Sequence, residues 1–267
     1  MYRLLAIDLD GTLLTPQHKV SPYTLDVLKR AVADGMRLVI ATGRVPFSFH
    51  RVIKDLPLNA PQITSNGATV IDMSTNTLVH QQLVPPHYIL PVVEYARSLD
   101  LQFCYYTNEY LYAEQALYDR QNWYLSGIPI RRVENIEDVY PQPCIKIGAF
   151  GDASTLRAKR RDLESHFAGQ LYVTQTAEQW LEFLHPEVSK ANALRTITQM
   201  LDIRPEEVIA FGDNHNDIEM LRFAGLGIAM GNAHQEVKAA ADYVTLRNVD
   251  DGVAAALEKF VFAVEKR

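Results

Sequence analysis

Four carboxylates in two distant clusters are the first sign of chemistry in this 267-residue chain. Asp8 and Asp10 stand in Asp8-Leu9-Asp10-Gly11-Thr12, and Asp213 and Asp217 in Asp213-Asn214-His215-Asn216-Asp217. Crowded in a partly dry site, such acids repel one another prohibitively unless cations compensate or they bind protons. Hard oxygen donors with few His or Cys nearby suit Mg²⁺, which keeps some of its water and favours phosphate oxygens. Thr42 adds a hydroxyl, and Gly43 lets the backbone come close to a ligand. Lys190 is a point charge suited to an anion. Acids, a magnesium ion, a hydroxyl donor and a lysine together describe phosphoryl transfer, where positioning and charge neutralisation do most of the work.

These residues act together only if secondary structure brings them to one place. Leu4 to Ile7 is a short, uninterrupted apolar run ending at Asp8, the pattern of a strand buried on both faces of a parallel sheet. Ser21-Pro22 offers an N-cap and a first-turn proline; Leu25, Leu28 and Val32 mark one helical face, and Gly35 ends the helix. Leu38 to Ala41 is a second buried run that stops at Thr42-Gly43-Arg44, completing a βαβ unit. Gln62 to Ser65 reads as a third strand ending at Asn66-Gly67, and Ala68 to Ile71 with Leu78 to Gln81 as a hairpin. After Lys190 the same rhythm returns. Val208 to Phe211 is a strand ending at Gly212-Asp213, Ile218 to Phe223 a helix and Leu226 to Ala229 a strand. Val237 to Ala240 ends another helix, Tyr243 to Leu246 is the last strand and Val253 to Val264 the last helix. In open parallel sheets ligands bind beyond the carboxyl ends of the strands, so four polar clusters are expected on one edge. Lys190, ahead of the helix Ala191 to Met200, can reach the same edge.

The middle of the chain has another texture. Pro85-Pro86 breaks the pattern, and Leu101-Gln102-Phe103-Cys104-Tyr105 shows strand alternation among helical stretches. Eight aromatics fall between Leu101 and Leu125: Phe103, Tyr105, Tyr106, Tyr110, Tyr112, Tyr118, Trp123 and Tyr124. They line a substrate face of this segment or form its core or a dimer patch. The expected fold is α/β: a Rossmann-like parallel core in two parts, 1–83 and 185–267, interrupted by an inserted α/β domain at 84–184.

The motifs carry a resemblance. Asp8-Leu9-Asp10-Gly11-Thr12-Leu13-Leu14 closely resembles the first motif of the haloacid dehalogenase (HAD) superfamily of phosphatases. Ala41-Thr42-Gly43-Arg44 looks like the second, Lys190 the third and Gly212-Asp213-Asn214-His215-Asn216-Asp217 the fourth, in matching order and spacing. The insert looks like the large α/β cap of the Cof-type branch. Ser65-Asn66-Gly67-Ala68, Val188-Ser189-Lys190, Met230-Gly231-Asn232-Ala233 and Asp250-Asp251-Gly252-Val253 are similar to that branch too. The resemblance implies that Asp8 is a nucleophile forming an aspartyl-phosphate. It implies that Asp10 protonates the leaving oxygen, activates water and lends its carbonyl to Mg²⁺. Within a strand, positions 8 and 10 point the same way, so both acids are expected to face one substrate. Asp8 and Asp213 would ligate the metal, with Asp217 holding a metal-bound water. Thr42, the Gly43 and Leu9 amides, Lys190 and Asn216 would bind the phosphate, and Arg44 would lie toward the substrate or cap.

Composition narrows the class further. An apolar content of 48% with 22% charged residues is that of a soluble globular protein, and the length is enough for about two domains. Lys and Arg number 26 against 32 Asp and Glu, which does not favour a nucleic-acid or anionic-membrane binder driven by bulk charge. Two cysteines, Cys104 and Cys144, exclude a disulfide-built secreted scaffold. No apolar run approaches the ~20 residues that span a bilayer. The expected product is a cytoplasmic, Mg²⁺-dependent phosphatase acting on a small phosphorylated metabolite such as a sugar phosphate, as a monomer or homodimer. A phosphosugar mutase and a non-catalytic sensor of phosphorylated ligands are the alternatives.

Overall fold

The computed structural model describes residues 1–49, 53–119 and 129–263. The N-terminal segment runs β1 (Leu4–Ile7), α1 (Pro22–Ala33), β2 (Arg37–Ile40), α2 (Pro46–Phe49), β3 (Gln62–Thr64), β4 (Thr69–Asp72) and β5 (Thr77–Gln81). The middle contains α3 (Pro86–Arg97), β6 (Gln102–Tyr106), β7 (Leu111–Glu114), α4 (Gln115–Asp119), β8 (Ile130–Val133), β9 (Lys146–Phe150), α5 (Ala153–His166), β10 (Tyr172–Ala177) and β11 (Trp180–Leu184). The C-terminal segment is α6 (Lys190–Met200), β12 (Val208–Gly212), α7 (Ile218–Phe223), β13 (Leu226–Ala229), α8 (Gln235–Ala240), β14 (Tyr243–Val244) and α9 (Gly252–Leu257). The chain divides into two compact units: Met1–Val45 with Phe49–His80 and Ser189–Arg267, and Gln81–Val188 with Pro46–Ser48. The sequence draws the insert at 84–184; the compact unit begins at the last residue of β5 and ends just before the Ser189 cap of α6.

The first unit holds a five-stranded sheet in the order β14-β13-β12-β1-β2, with every neighbouring pair parallel. β1 lies inside the sheet, between β12 and β2, and its Leu4, Leu5 and Ile7 are shielded on both faces, each such burial contributing about 1.5–3 kcal/mol. Ile7 pairs with Ile40 on one side and Phe211 on the other, so the strand ends that carry chemistry are level. Ser21 caps α1 by accepting from the Thr24 amide at 3.0 Å, with Pro22 in the first turn.

Several expectations change in detail. The fully buried face of α1 is Thr24, Val27, Leu28 and Ala31, and Leu25 and Val32 flank it, partly buried. β3 is not a strand of the parallel sheet. It joins β4 and β5 in a separate three-stranded sheet and meets β2 through the isolated bridge from Ala41 to Ile63 and through the Gln62 side chain, which accepts from the Ile40 amide and donates to the Leu38 carbonyl. The last strand stops at Val244, because the Leu246 carbonyl turns to accept from Gly231. The last helix starts at Gly252 and passes into a π-turn over Glu258–Phe262; Val264 lies outside the described residues.

The second unit has its own six-stranded sheet, β10-β11-β9-β6-β7-β8, antiparallel except between β7 and β8. Its core combines Ile89, Val92 and Val93 of α3 and Leu156 and Leu163 of α5 with Phe103, Tyr105 and Phe183 of the sheet. Phe103, Tyr105 and Tyr112 of the aromatic run are thus core of this unit, while Trp123 and Tyr124 lie outside the described residues. Cys104 and Cys144 are buried free thiols, and burial pushes the Cys104 thiol up to about 12. Among the described residues no helix is long and apolar enough to cross a membrane.

Candidate active site

The parallel sheet ends abruptly at one edge, and the chemistry gathers there. The Asp8 amide donates to the Phe211 carbonyl at 3.0 Å, one more rung beyond Ile7. The chain then turns, the Leu13 and Leu14 amides both donating to the Leu9 carbonyl at 3.1 and 2.8 Å. Asp8 is left buried at the sheet edge, 6% exposed. β12 delivers Gly212 to the same edge. A side chain at 212 would collide with that of Asp217, so glycine is what lets Asp217 fold back over the strand end. There Asp217 Oδ2 accepts from the Asp213 and Asn214 amides, each at 3.0 Å.

Lys190 is the first residue of α6, whose start is fixed by Ser189 Oγ accepting from the Asn192 amide. Its ammonium, 1% exposed, donates to Asp8 Oδ1 at 2.5 Å and to Asp217 Oδ1 at 2.6 Å. Asp213 accepts from the Thr12 hydroxyl at 2.9 Å. Gly11 adopts φ +84°, and a side chain there would overlap the Asp213 carboxylate.

Ligand atoms of Asp8, Asp213 and Asp217 all lie within 4.8 Å of one another. Burial first, then the charges of Asp217 and Asp213, raise the Asp8 carboxyl well above its usual range, against the pull of Lys190. Burial and Asp217 push Asp213 up to about 6. Burial also works against the charge on Lys190, but Asp217 and Asp8 outweigh it and hold the ammonium above its ordinary range. Two buried carboxylates and a half-buried one, Asp213, against one ammonium leave negative charge in excess, which a divalent cation would balance. The three acids supply only hard oxygen donors and could hold a divalent metal ion.

Asp10 does not join this cluster. β1 ends at Ile7, so the alternation that would aim residues 8 and 10 alike is already broken. Asp10 is exposed and turns to Arg44, whose Nε and Nη2 donate to its two carboxylate oxygens at 2.7 and 2.6 Å. Arg44 is therefore engaged with Asp10 rather than reaching away from it. Thr42 is buried, its hydroxyl accepting from the Arg44 amide at 3.1 Å and its own amide donating to the Ile63 carbonyl. Leu9 faces the core with its side chain. Asn216 donates to Asn66 Oδ1 at 2.8 Å, and a Cβ on Gly43 would lie 3.0 Å from that same oxygen. Thr12 and Asn66 thus belong to the site although sequence reasoning assigned them no part. Thr12 stands in the first motif, and Asn66 in the Ser65-Asn66-Gly67-Ala68 string quoted for the Cof-type branch.

A family model described as haloacid dehalogenase-like hydrolase matches residues 5–257. The chain belongs to that family. Among its relatives, the Bacillus subtilis protein named 5-amino-6-(5-phospho-D-ribitylamino)uracil phosphatase YcsE is 31% identical over 259 residues, covering 97% of this chain and 96% of its own. Phosphatase YwpJ of the same organism is 28% identical over 280 residues, covering 94% and 97%. A solved haloacid dehalogenase-like hydrolase from Bacteroides thetaiotaomicron superposes with a TM-score of 0.85 at 31% identity, covering 97% of this chain and 99% of that one. The HAD resemblance and the α/β fold with a parallel core expected from the motifs therefore stand, and the hydrolase has phosphatases for relatives.

Proposed function

We propose that this HAD hydrolase is a Mg²⁺-dependent phosphatase for small phosphorylated metabolites, with Asp8 as its nucleophile. One observation carries the reading. A buried carboxylate from the N-terminal strand and two from the C-terminal motif sit within 4.8 Å of one another, with the Lys190 ammonium on two of them. A surface acidic patch would be solvated and would need no buried lysine.

In this reading an Asp8 oxygen attacks phosphorus as the ester P–O bond breaks, and Asp10 gives its proton to the leaving oxygen. Asp10 then takes a proton from water, the water oxygen attacks the aspartyl-phosphate, and phosphate leaves with Asp8 restored. Thr42, the Gly43 and Leu9 amides, Lys190 and Asn216 bind the phosphoryl oxygens, and Arg44 aims Asp10. Asp8, Asp213 and the Asp10 carbonyl would hold the ion, with Asp217 holding it through a bound water. Bound there, Mg²⁺ supplies charge neutralisation for the phosphoryl oxygens and the carboxylates alike.

The name of the YcsE relative puts phosphorylated polyols beside sugar phosphates as first substrates to try. The test is release of inorganic phosphate from p-nitrophenyl phosphate and from such a panel with Mg²⁺ present. Turnover that disappears in Asp8→Asn supports the reading. No turnover on any of these compounds overturns it, and isomerised sugar phosphate without free phosphate would mark a mutase instead.

A further inference from the structure

We infer that Asn66 is a positioning residue of the phosphate pocket, holding the second, third and fourth motifs at their working distances. The inference rests on the phosphatase reading above.

The turn Ser65–Gly67 touches each of those motifs by a different atom. The Ser65 amide donates to the Arg44 carbonyl at 2.8 Å, and the Asn66 amide donates to the Thr42 carbonyl at 3.0 Å. The Asn66 side-chain oxygen accepts from Asn216 at 2.8 Å, across 150 residues of sequence. The same side chain packs against Gly43. Gly67 lies so close to the Ser189 carbonyl that any side chain there would overlap it, and Ser189 caps the helix that begins with Lys190. One three-residue turn thus sets where Thr42, Gly43, Asn216 and Lys190 stand relative to one another.

The backbone is unusual in a way that needs explaining. Ser65 and Asn66 have φ of +51° and +59°, followed by Gly67 at +106°. Left-handed conformations at consecutive non-glycine residues are costly, and they persist where the surroundings over-determine them, typically at functional sites. Ser65, Asn66 and Gly67 are all buried, and the Ser65 hydroxyl has no hydrogen-bond partner among the described residues. A turn needed only to link β3 to β4 would not require a buried polar side chain reaching a distant loop. Asparagine suits the position because it tolerates the left-handed region and also carries an amide that can hold Asn216.

Asn66→Gly separates these two uses. Glycine keeps the backbone conformation and removes only the amide. In Asn66→Gly we expect KM and the inhibition constant for inorganic phosphate to rise about ten-fold, the scale of one lost hydrogen bond, while half-saturation by Mg²⁺ stays within two-fold. Selective loss of phosphate affinity is something a merely structural role would not produce. In wild-type enzyme, the Asn66 side-chain amide resonances are also expected to shift when inorganic phosphate is titrated in, a measurement that does not depend on the variant folding. Unchanged phosphate inhibition in folded Asn66→Gly, or no shift in the wild type, overturns the inference. A wild-type protein that hydrolyses none of the phosphate esters would instead overturn the phosphatase reading.

Discussion

Arg44 holds Asp10 with two roughly parallel hydrogen bonds, Nε to Oδ2 at 2.7 Å and Nη2 to Oδ1 at 2.6 Å. The planar guanidinium matches both carboxylate oxygens at once, so it fixes the direction of the carboxyl group as well as its place. Lysine cannot reproduce that fork. Arg44→Lys and Arg44→Ala are both expected to lower kcat by about 10–100-fold through a misaimed Asp10. The melting temperature should barely move, since both side chains are partly exposed, at 23% and 45%. Steady-state kinetics on p-nitrophenyl phosphate decide it: wild-type kcat in Arg44→Lys would mean that the fork is not needed.

Lys190 neutralises two buried acids, so its loss should be felt in stability before catalysis. Lys190→Met leaves Asp8 and Asp217 facing each other and Asp213 without a cation. Removing one partner of a buried ion pair typically costs about 3–5 kcal/mol. Urea unfolding with EDTA should show a loss of that order, and added Mg²⁺ should restore part of it. A midpoint equal to wild type would contradict the charge balance described for the site.

The acids also set a pH dependence. Asp213 has its carboxyl raised to about 6 in the ion-free protein, above the ordinary value of 3.8. The folded state therefore holds this proton more tightly than the unfolded chain. Its stabilising contribution is complete below pH 3.8 and is lost as pH rises through about 6. With EDTA, this group makes stability fall across that window. Metal binding needs the carboxylate, so half-saturation by Mg²⁺ should demand more metal as pH drops below about 6. Thermal melts and Mg²⁺ titrations between pH 4.5 and pH 7.5, values chosen at roughly one unit and more on either side of the transition, check both signs. A metal requirement independent of pH would contradict the shift.

Gly11 is the position where backbone and site meet most tightly. Gly11→Ala would strain a residue at φ +84° and drive a methyl group into the Asp213 carboxylate. We expect about 1–3 kcal/mol of destabilisation, with weaker Mg²⁺ binding because Asp213 must move. Urea unfolding and metal titration of the same variant test both effects.

Much of the scaffold was legible locally. Leu4 to Ile7, Leu38 to Ile40 and Val208 to Phe211 are apolar on every residue, and that pattern is how doubly covered parallel strands look. β3 belongs to the separate sheet although its local pattern fits either one: a strand of three residues looks the same in both, and only its pairing with Thr69–Ile71 decides. The two first-motif acids meet the same limit of local pattern. A two-residue offset predicts one face only while the strand continues, and β1 had already ended.

By itself, the amino-acid sequence determined the strands of the parallel core, the residue types at their ends and the family that shares their order. These depend on short-range patterns of burial and on motif spacing. Only the tertiary structure decided that Asp10 turns to Arg44 while Asp8 stays with Asp213, Asp217 and Lys190, and that Asn66 reaches Asn216. Those partners lie up to about 200 residues apart, where local propensity carries no information. They are chosen by which loops the packed sheet and helices bring into one dry space, and by the cost of leaving any charge there unmatched.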